Sequence, residues 1–427
     1  MLALILFLGF LFFLLIGVPV SISIGAAVLA AFLTSNFADA IYIIPQQLLE
    51  GIRNPALLAV PFFIMAGNLM NAVGMTDRIF NFANNLVGHY KAGLAQVNVL
   101  ASMIFSGVSG AAVADCAGLG AVEIKAMKKR GYRADFAAAL TVCSAVIGPI
   151  IPPSIGLVIY SFLSEQSVER MFLAGIIPGI IVGIGLMIFN RWYANIYNFP
   201  VQKKATRREI IQSGFDGVLA LVAPAIILSG IIFGFVTATE AGVLACIYTL
   251  ILGFIYKSIN IRNFYNAMKE TMIMTSIIMI IIGFSMSMGW LLAIDQIPQM
   301  LGDYLFSFTD NKYYFILLVI IFLILIGCVV NGVPASLILV PMLLPIVDQY
   351  EISRIHFGII MELSLLIGIA TPPMGIGLYI VSEVGDVPFE KVSVAVLPLL
   401  IPLISVLLLI AFFPELTLWL PNQILGN

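Results

Sequence analysis

A chain of 427 residues that is 61% hydrophobic and only 10% charged, with a mean hydropathy of +1.11, lies far from the balance of a soluble globular domain. A formal net charge of −2 offers no basic surface for nucleic acid. The composition is that of a polytopic membrane protein. Its four cysteines, Cys116, Cys143, Cys246 and Cys328, lie inside apolar segments at no metal-ligand spacing and read as packing residues.

The run up to Leu33 carries no charge and no basic flank, and it is about twice the length of a signal-peptide core. It predicts one retained transmembrane helix over 2–33, bent at Gly17 and Pro19. A bilayer asks for about 20 apolar residues per span, and further spans are predicted at 55–70, 133–165, 169–193, 215–234, 237–257, 271–293, 353–384 and 389–413. The stretches 92–127 and 312–349 are too long for single spans and break at their centres, near 107–110 and 331–334. Both are predicted as re-entrant helical hairpins. Segments 77–90 and 295–309 mix apolar with charged or amide residues just before each hairpin and suit helices lying in the membrane interface. The polar stretch 198–213, with Lys203, Lys204, Arg207 and Arg208, reads as the linker between two halves.

An amino terminus in the cytoplasm leaves only Arg53, Arg170, Lys312 and Arg354 outside and the other sixteen of the twenty Lys and Arg inside. That bias fixes the expected orientation, with the carboxy terminus outward. Each half reads as span, span, hairpin, broken span, span, an even number of crossings, and the extra span at 215–234 turns the second unit upside down. The expected fold is therefore all-α and polytopic, with two inverted-topology repeats whose hairpins meet at the midplane, an alternating-access architecture. The expected division is a scaffold with an interfacial arm over 1–91, a transport domain over 92–165, scaffold over 166–311, transport domain again over 312–384, and a last scaffold span with tail over 385–427.

Gly and Pro deep in apolar segments leave backbone groups without helical partners, which lipid tolerates only where they line a cavity or bind something. This happens twice in one pattern. Ser106-Gly107-Val108-Ser109-Gly110 is followed by Ile147-Gly148-x-x-x-Pro152-Pro153, and Asn331-Gly332-Val333-Pro334 by Ile367-Gly368-x-x-Thr371-Pro372-Pro373. Glycine permits the tight tip, and proline frees carbonyls. Clustered neutral oxygens with little formal charge suit a small hard monovalent cation such as sodium. Ser106, Gly107, Ser109 and Gly110, facing the unwound stretch from Gly148 to Pro153, would form one site; Asn331, Gly332, Gly368 and Thr371 would form the other, with Gly327 and Met374 adding backbone at most. Helix starts beyond each tip point their positive ends at the midplane, where an anionic substrate could sit. Ser106, Ser109, Asp115, Ser154, Asn331, Ser336 and Thr371 are the candidate substrate contacts.

Acids inside spans are functional suspects because burying them is costly. Asp115, just past the first tip, is either an organiser of the first ion site or substrate contact, or an acid favoured by its helix dipole. Glu240 follows Thr237 and is expected to cap its helix. Asp295 is expected to cap the interfacial helix, and Glu362 to make a structural hydrogen bond. His89 and His356 are placed near span ends, and the basic residues of 125–133 set topology, with anionic lipid as a further ligand. An intramembrane protease is disfavoured, since no Gly-x-Gly-Asp or His-Glu-x-x-His occurs. A channel or a stand-alone symporter remains a rival reading.

Ser106-Gly-x-Ser-Gly-Ala-x-x-Ala-Asp115, the two Pro-Pro turns and Pro61-Phe-Phe-x-x-Ala-Gly67 resemble the large membrane subunit of tripartite ATP-independent periplasmic (TRAP) transporters. The resemblance spans essentially the whole chain. It implies membership of a wider ion-transporter superfamily with an elevator mechanism, driven by a sodium gradient in the bacterial inner membrane. It implies two partners, a small four-helix membrane subunit and a soluble periplasmic binding protein. Organic acids such as C4-dicarboxylates or sialic acids are the implied substrates, with a weak lean to sialic acid. It also carries the sodium sites over to Ser106, Ser109 and Gly148, and to Asn331, Gly332, Gly368 and Thr371.

Overall fold

The computed structural model describes residues 2–34, 41–197, 199 and 204–426; these residues are helical throughout, without strands. The first departure from expectation comes at once. Residues 2–33 form two helices, α1 (Leu2–Leu15) and α2 (Val20–Thr34), which reverse at 16–19 and pack along each other. A Cβ on Gly9, near the middle of α1, would stand 3.6 Å from that of Ala27, near the middle of α2, so the pairing is antiparallel and full-length. The chain turns back at Gly17, whose φ of 85° a side chain would resist. The single bent span is thus corrected to a helical pair.

Next come α3 (Ile43–Ile52), α4 (Ala59–Ala72) and α5 (Met75–Val87). Met75, Thr76, Ile79, Phe80 and Ala83 are buried at helical spacing while Asp77 and Asn81 face out, so α5 is amphipathic as expected. The first hairpin is α6 (Gly93–Ser109), α7 (Ala112–Ala117) and α8 (Leu119–Lys129). The broken span after it is α9 (Ala134–Ala145) and α10 (Ile155–Ser164), joined by a turn with a cis Pro152–Pro153 bond. Helices α11 (Val168–Tyr197), α12 (Arg207–Ile232), α13 (Ala238–Ile255), α14 (Ile261–Ile294) and the arm α15 (Ile297–Phe308) follow. The expected linker lies partly outside the described residues, and its last part is already helical in α12, started by a Thr206–Glu209 capping box. The second hairpin is α16 (Lys312–Val329) and α17 (Gly332–Gln349), and the second broken span is α18 (Arg354–Ile369) and α19 (Ile376–Gly385) around cis Pro372–Pro373. Helices α20 (Phe389–Phe412) and α21 (Glu415–Leu425) close the chain. Among the described residues seven helices are long and apolar enough to cross a bilayer by themselves: the segment Pro55–Ala72 with α4, then α11, α13, α14, α16, α17 and α20.

Both hairpins are closed at their bases by the same device. The Tyr132 hydroxyl, just after α8, donates to the carbonyl of Ala92, just before α6, at 3.1 Å. The Tyr350 hydroxyl, just after α17, donates to the carbonyl of Thr309, just before α16, at 2.7 Å, and its ring stacks on Phe315. Chain entry and exit therefore lie together in each hairpin, and the turn lies at the far end.

The helices sort into two packed groups. Helices α2, α3, α4, α12, α13 and α14 pack on one another, while α5 packs on both α12 and the first hairpin and α15 on both α14 and the second hairpin's α17. The other group contains both hairpins and both broken spans, and each half's α10 or α19 packs on the opposite half's hairpin: α10 on α17, α19 on α7 and α8. Helix α11 packs on α6, α18, α20 and α21, and α20 packs on α9 and α18, so these two spans pack with the hairpin group. Hydrogen bonds follow the same division. Asn68–Thr271, Asn85–Ser213, Tyr248–Leu219 and Ser287–Ile44 tie the frame; Gln96–Met187, Asn190–Ala95, Tyr160–Arg354, Arg354–Ser164 and Lys128–Gly385 tie the other group.

Candidate functional site

The predicted residues of the first half come together around the first tip. Helix α6 stops because Gly110 turns left-handed, with φ 59°. The tip lies on the proline turn: a methyl on Gly110 would stand 2.9 Å from the Pro153 carbonyl, and one on Gly107 3.7 Å from that of Pro152. Asp115, 2% exposed in the first turn of α7, lodges against Gly148, where a methyl would collide with its Oδ2. Ser106 is fully buried and donates to the Met103 carbonyl at 2.6 Å, which commits its proton and leaves its oxygen able to accept. Ser154 caps α10 by accepting from the Leu157 amide at 3.2 Å. The side chain of Ser109 lies outside the described residues.

The second half is arranged differently. Gly327 and Gly368 let α16 and α18 cross backbone to backbone; a methyl on Gly368 would stand 2.6 Å from the Cα of Gly327 and from the Ile324 carbonyl. Asn331 is exposed at the tip, Thr371 is half-buried and donates to the Ile367 carbonyl at 2.7 Å, and Met374 is 54% exposed. Gly332 and Ser336 are buried below the tip, and the Ser336 hydroxyl points inward to Glu362 at 3.4 Å. The first cluster is thus enclosed, whereas the second opens at the surface.

Around the first tip, Phe63, Ala66 and Met70 of α4, Ala223 and Ile227 of α12 and Ala245 of α13 face Gly107, Gly110, Pro153 and Ile155 across a cavity of about 10 Å³. This seam between the two helix groups is apolar, with glycine and alanine interleaved among larger side chains.

A family model described as "Tripartite ATP-independent periplasmic transporter, DctM component" matches residues 7–416. The chain belongs to this family. It is 43% identical to the sialic acid TRAP transporter large permease protein SiaM of Vibrio cholerae, over 98% of each chain. It is 34% identical to the C4-dicarboxylate TRAP transporter large permease protein DctM of Pseudomonas aeruginosa, over 90% of each. Among solved structures it is similar to the YdaH transporter of Alcanivorax borkumensis, with a TM-score of 0.63 at 12% identity over 95% of this chain and 97% of that one, a likeness of fold. This DctM component is therefore a multi-pass membrane transport permease and not an enzyme.

Two polar assignments are corrected by the structure, and one acid is added to those expected. Asp295 ends α14 and does not cap α15, which follows a left-handed Gln296. His356 is 2% exposed, its Nδ1 2.9 Å from the Thr417 hydroxyl, so it is a packing residue and not an interfacial one. Glu123, absent from the expected acids, is 1% exposed and central to a buried network. The Asn98 amide of α6 donates to Glu123 Oε2 at 2.7 Å and to the Thr141 hydroxyl of α9 at 2.8 Å, while the Ser144 hydroxyl donates to Asn98 Oδ1 at 2.7 Å. Cys116, Leu119, Gly120, Glu123 and Met127 share one buried helical face, and that periodicity is the signal in the sequence. Glu240 closes a capping box with Thr237, as expected, and all four cysteines are buried and free.

Proposed function

We propose that this permease is the large subunit of a sodium-coupled TRAP symporter for an organic acid, moving its substrate by an elevator motion between inverted repeats. The observation that carries the motion is the two-body sorting: hydrogen bonds knit each helix group internally, while the face around the first tip is apolar. Such a face slides at little cost, because no buried polar group loses its partner in transit. The packing supports a moving unit larger than the two hairpins and broken spans, with α11 and α20 included. The arms α5 and α15 border the hairpins at either end of the frame.

Sodium, as co-transported substrate, would bind at Ser106, Ser109 and Gly148 in one half and at Asn331, Gly332, Gly368 and Thr371 in the other. Donated hydroxyl protons at Ser106 and Thr371 support this, since their free oxygens accept a cation without a competing hydrogen. Likeness to SiaM favours sialic acid as the first substrate to test. Partners would be a small four-helix membrane subunit and a soluble periplasmic binding protein, in the bacterial inner membrane. The positive-inside bias keeps 125–133 cytoplasmic and Arg53 outside. With α1 and α2 as an antiparallel pair, Leu2 and Thr34 share a side, and on this reading the amino-terminal end faces outward. The first basic residue is Arg53, so the charge bias is unchanged by this reversal.

The test is uptake into proteoliposomes holding both membrane subunits, with the binding protein and radiolabelled sialic acid outside. Uptake should need the binding protein, the small subunit and an inward sodium gradient. Uptake by this chain alone, or uptake indifferent to sodium, overturns the reading.

A further inference from the structure

Glu362 lies in the middle of α18, 3% exposed, where the two halves of the chain touch. A methyl on Gly156, the second residue of α10, would collide with its Oε1, and one on Gly332, the first residue of α17, would stand 3.9 Å from the same oxygen. Its hydrogen-bond donor is the Ser336 hydroxyl at 3.4 Å, beyond the 2.5–3.0 Å usual for such a bond. Among the described residues the ion pairs Arg133–Asp135 and Arg354–Asp348 sit at helix ends, no Lys or Arg pairs with Glu362, and neither flanking helix start donates an N–H to it. A carboxylate so placed carries a desolvation penalty of several kcal/mol, and acids at this depth persist where they face a cavity, a counter-charge or an ion path. One long hydrogen bond does not offset that penalty.

Of the predicted cation ligands of this half, Asn331, Gly332, Gly368 and Thr371, all neutral, Gly332 is the one that approaches it. Bringing a cation to neutral oxygens in a low-dielectric interior leaves one uncompensated charge, and adding Glu362 brings the local sum to zero. The first half has the same pairing with its polarity exchanged: Asp115 reaches from the hairpin onto Gly148 of the broken span, and Glu362 reaches from the broken span toward Gly332 of the hairpin. We infer that Glu362 supplies the negative charge of the cation site at the second hairpin, with Ser336 holding its carboxylate below the tip. The inference rests on the sodium-coupled reading above. A carboxylate oxygen is the donor a hard cation prefers.

The experiment uses the purified complex of both membrane subunits, titrated with sodium chloride against choline chloride at constant ionic strength and followed by thermal unfolding. Wild type should show a saturable sodium shift, Glu362→Gln a midpoint raised at least tenfold, and Glu362→Asp an intermediate value. On the wild-type complex, a hydrophobic carbodiimide should modify Glu362, read by mass spectrometry, and sodium but not potassium should suppress it. That second measurement stands even where Glu362→Gln fails to fold. No sodium shift in wild type overturns the coupled reading itself. A wild-type shift with carbodiimide labelling of Glu362 indifferent to sodium, or a folded Glu362→Gln with its midpoint within twofold of wild type, overturns this inference alone.

Discussion

Substituting Asn98 by Leu tests whether the first hairpin is held rigid by its buried network. Leu is close to Asn in volume, so the change removes polarity with little cavity. It deletes hydrogen bonds to Glu123 at 2.7 Å, to Thr141 at 2.8 Å and from Ser144 at 2.7 Å, all fully enclosed. Interhelical hydrogen bonds in membrane proteins average about 0.6 kcal/mol each, which sums to roughly 2 kcal/mol here. Leaving a buried polar group without a partner costs about 1–3 kcal/mol apiece. Thr141 and Ser144 keep local alternatives, since Thr141 also reaches Glu123 at 3.5 Å and Ser144 the Thr141 carbonyl at 3.1 Å. Glu123 is left with only the long bond from the Thr141 hydroxyl and therefore decides the outcome; the expected loss is about 3–5 kcal/mol, the bond sum plus the penalty of one poorly satisfied acid. The assay is equilibrium unfolding of the purified protein in mixed micelles, with Asn98→Leu/Glu123→Leu beside the single variant. The pair should recover about 1 kcal/mol or more, because removing both partners leaves no orphaned acid. A single variant within about 1 kcal/mol of wild type, or a pair no better than the single, would refute the claim that this network holds α6 to α8 and α9.

Tyr132→Phe and Tyr350→Phe each remove one base-closing hydrogen bond and should destabilise by about 1 kcal/mol, with hydrogen exchange rising at 92–93 and 309–312 respectively; unchanged exchange at both bases would contradict the closure. Gly107→Ala puts a methyl 2.6 Å from the Pro224 side chain on α12, so the tip must shift at the seam, and uptake should fall about tenfold, or about 1.4 kcal/mol in the barrier, while thermal stability stays near wild type; equal uptake would mean the seam does not tighten during transport. A single cysteine at Leu4, in a background with the four native cysteines replaced, should react with a membrane-impermeant maleimide from the outer face of intact cells; labelling only after permeabilisation would return the amino-terminal end to the cytoplasm.

The features legible from sequence are those written in residue types with few structural uses. Gly110 and the Pro152-Pro153 and Pro372-Pro373 pairs cannot continue a helix, so the hairpin tips and broken spans stood where the sequence put them. What was misread depends on which apolar face meets which. The run 2–33 is long enough for one tilted span, and only the meeting of Gly9 with Ala27 turns a bend at Gly17 into a reversal. Glu123 stands beside Lys125, where nearby charge suggests solvent, yet its neighbours at helical spacing, Gly120 and Met127, are buried. Helices α11 and α20 are apolar on every side, so hydropathy cannot assign them to frame or moving unit. Asn190 can: a buried amide must be hydrogen-bonded somewhere, and it bonds the Ala95 carbonyl of the first hairpin at 3.1 Å. With Gln96 reaching back to the Met187 carbonyl at 2.9 Å, two amides fasten α11 to α6. Either bond broken within the membrane would leave polar groups facing hydrocarbon, whereas the Gly107–Pro224 contact can slide without orphaning any. Where buried amides cross, helices travel together; where only apolar groups face each other, they can part.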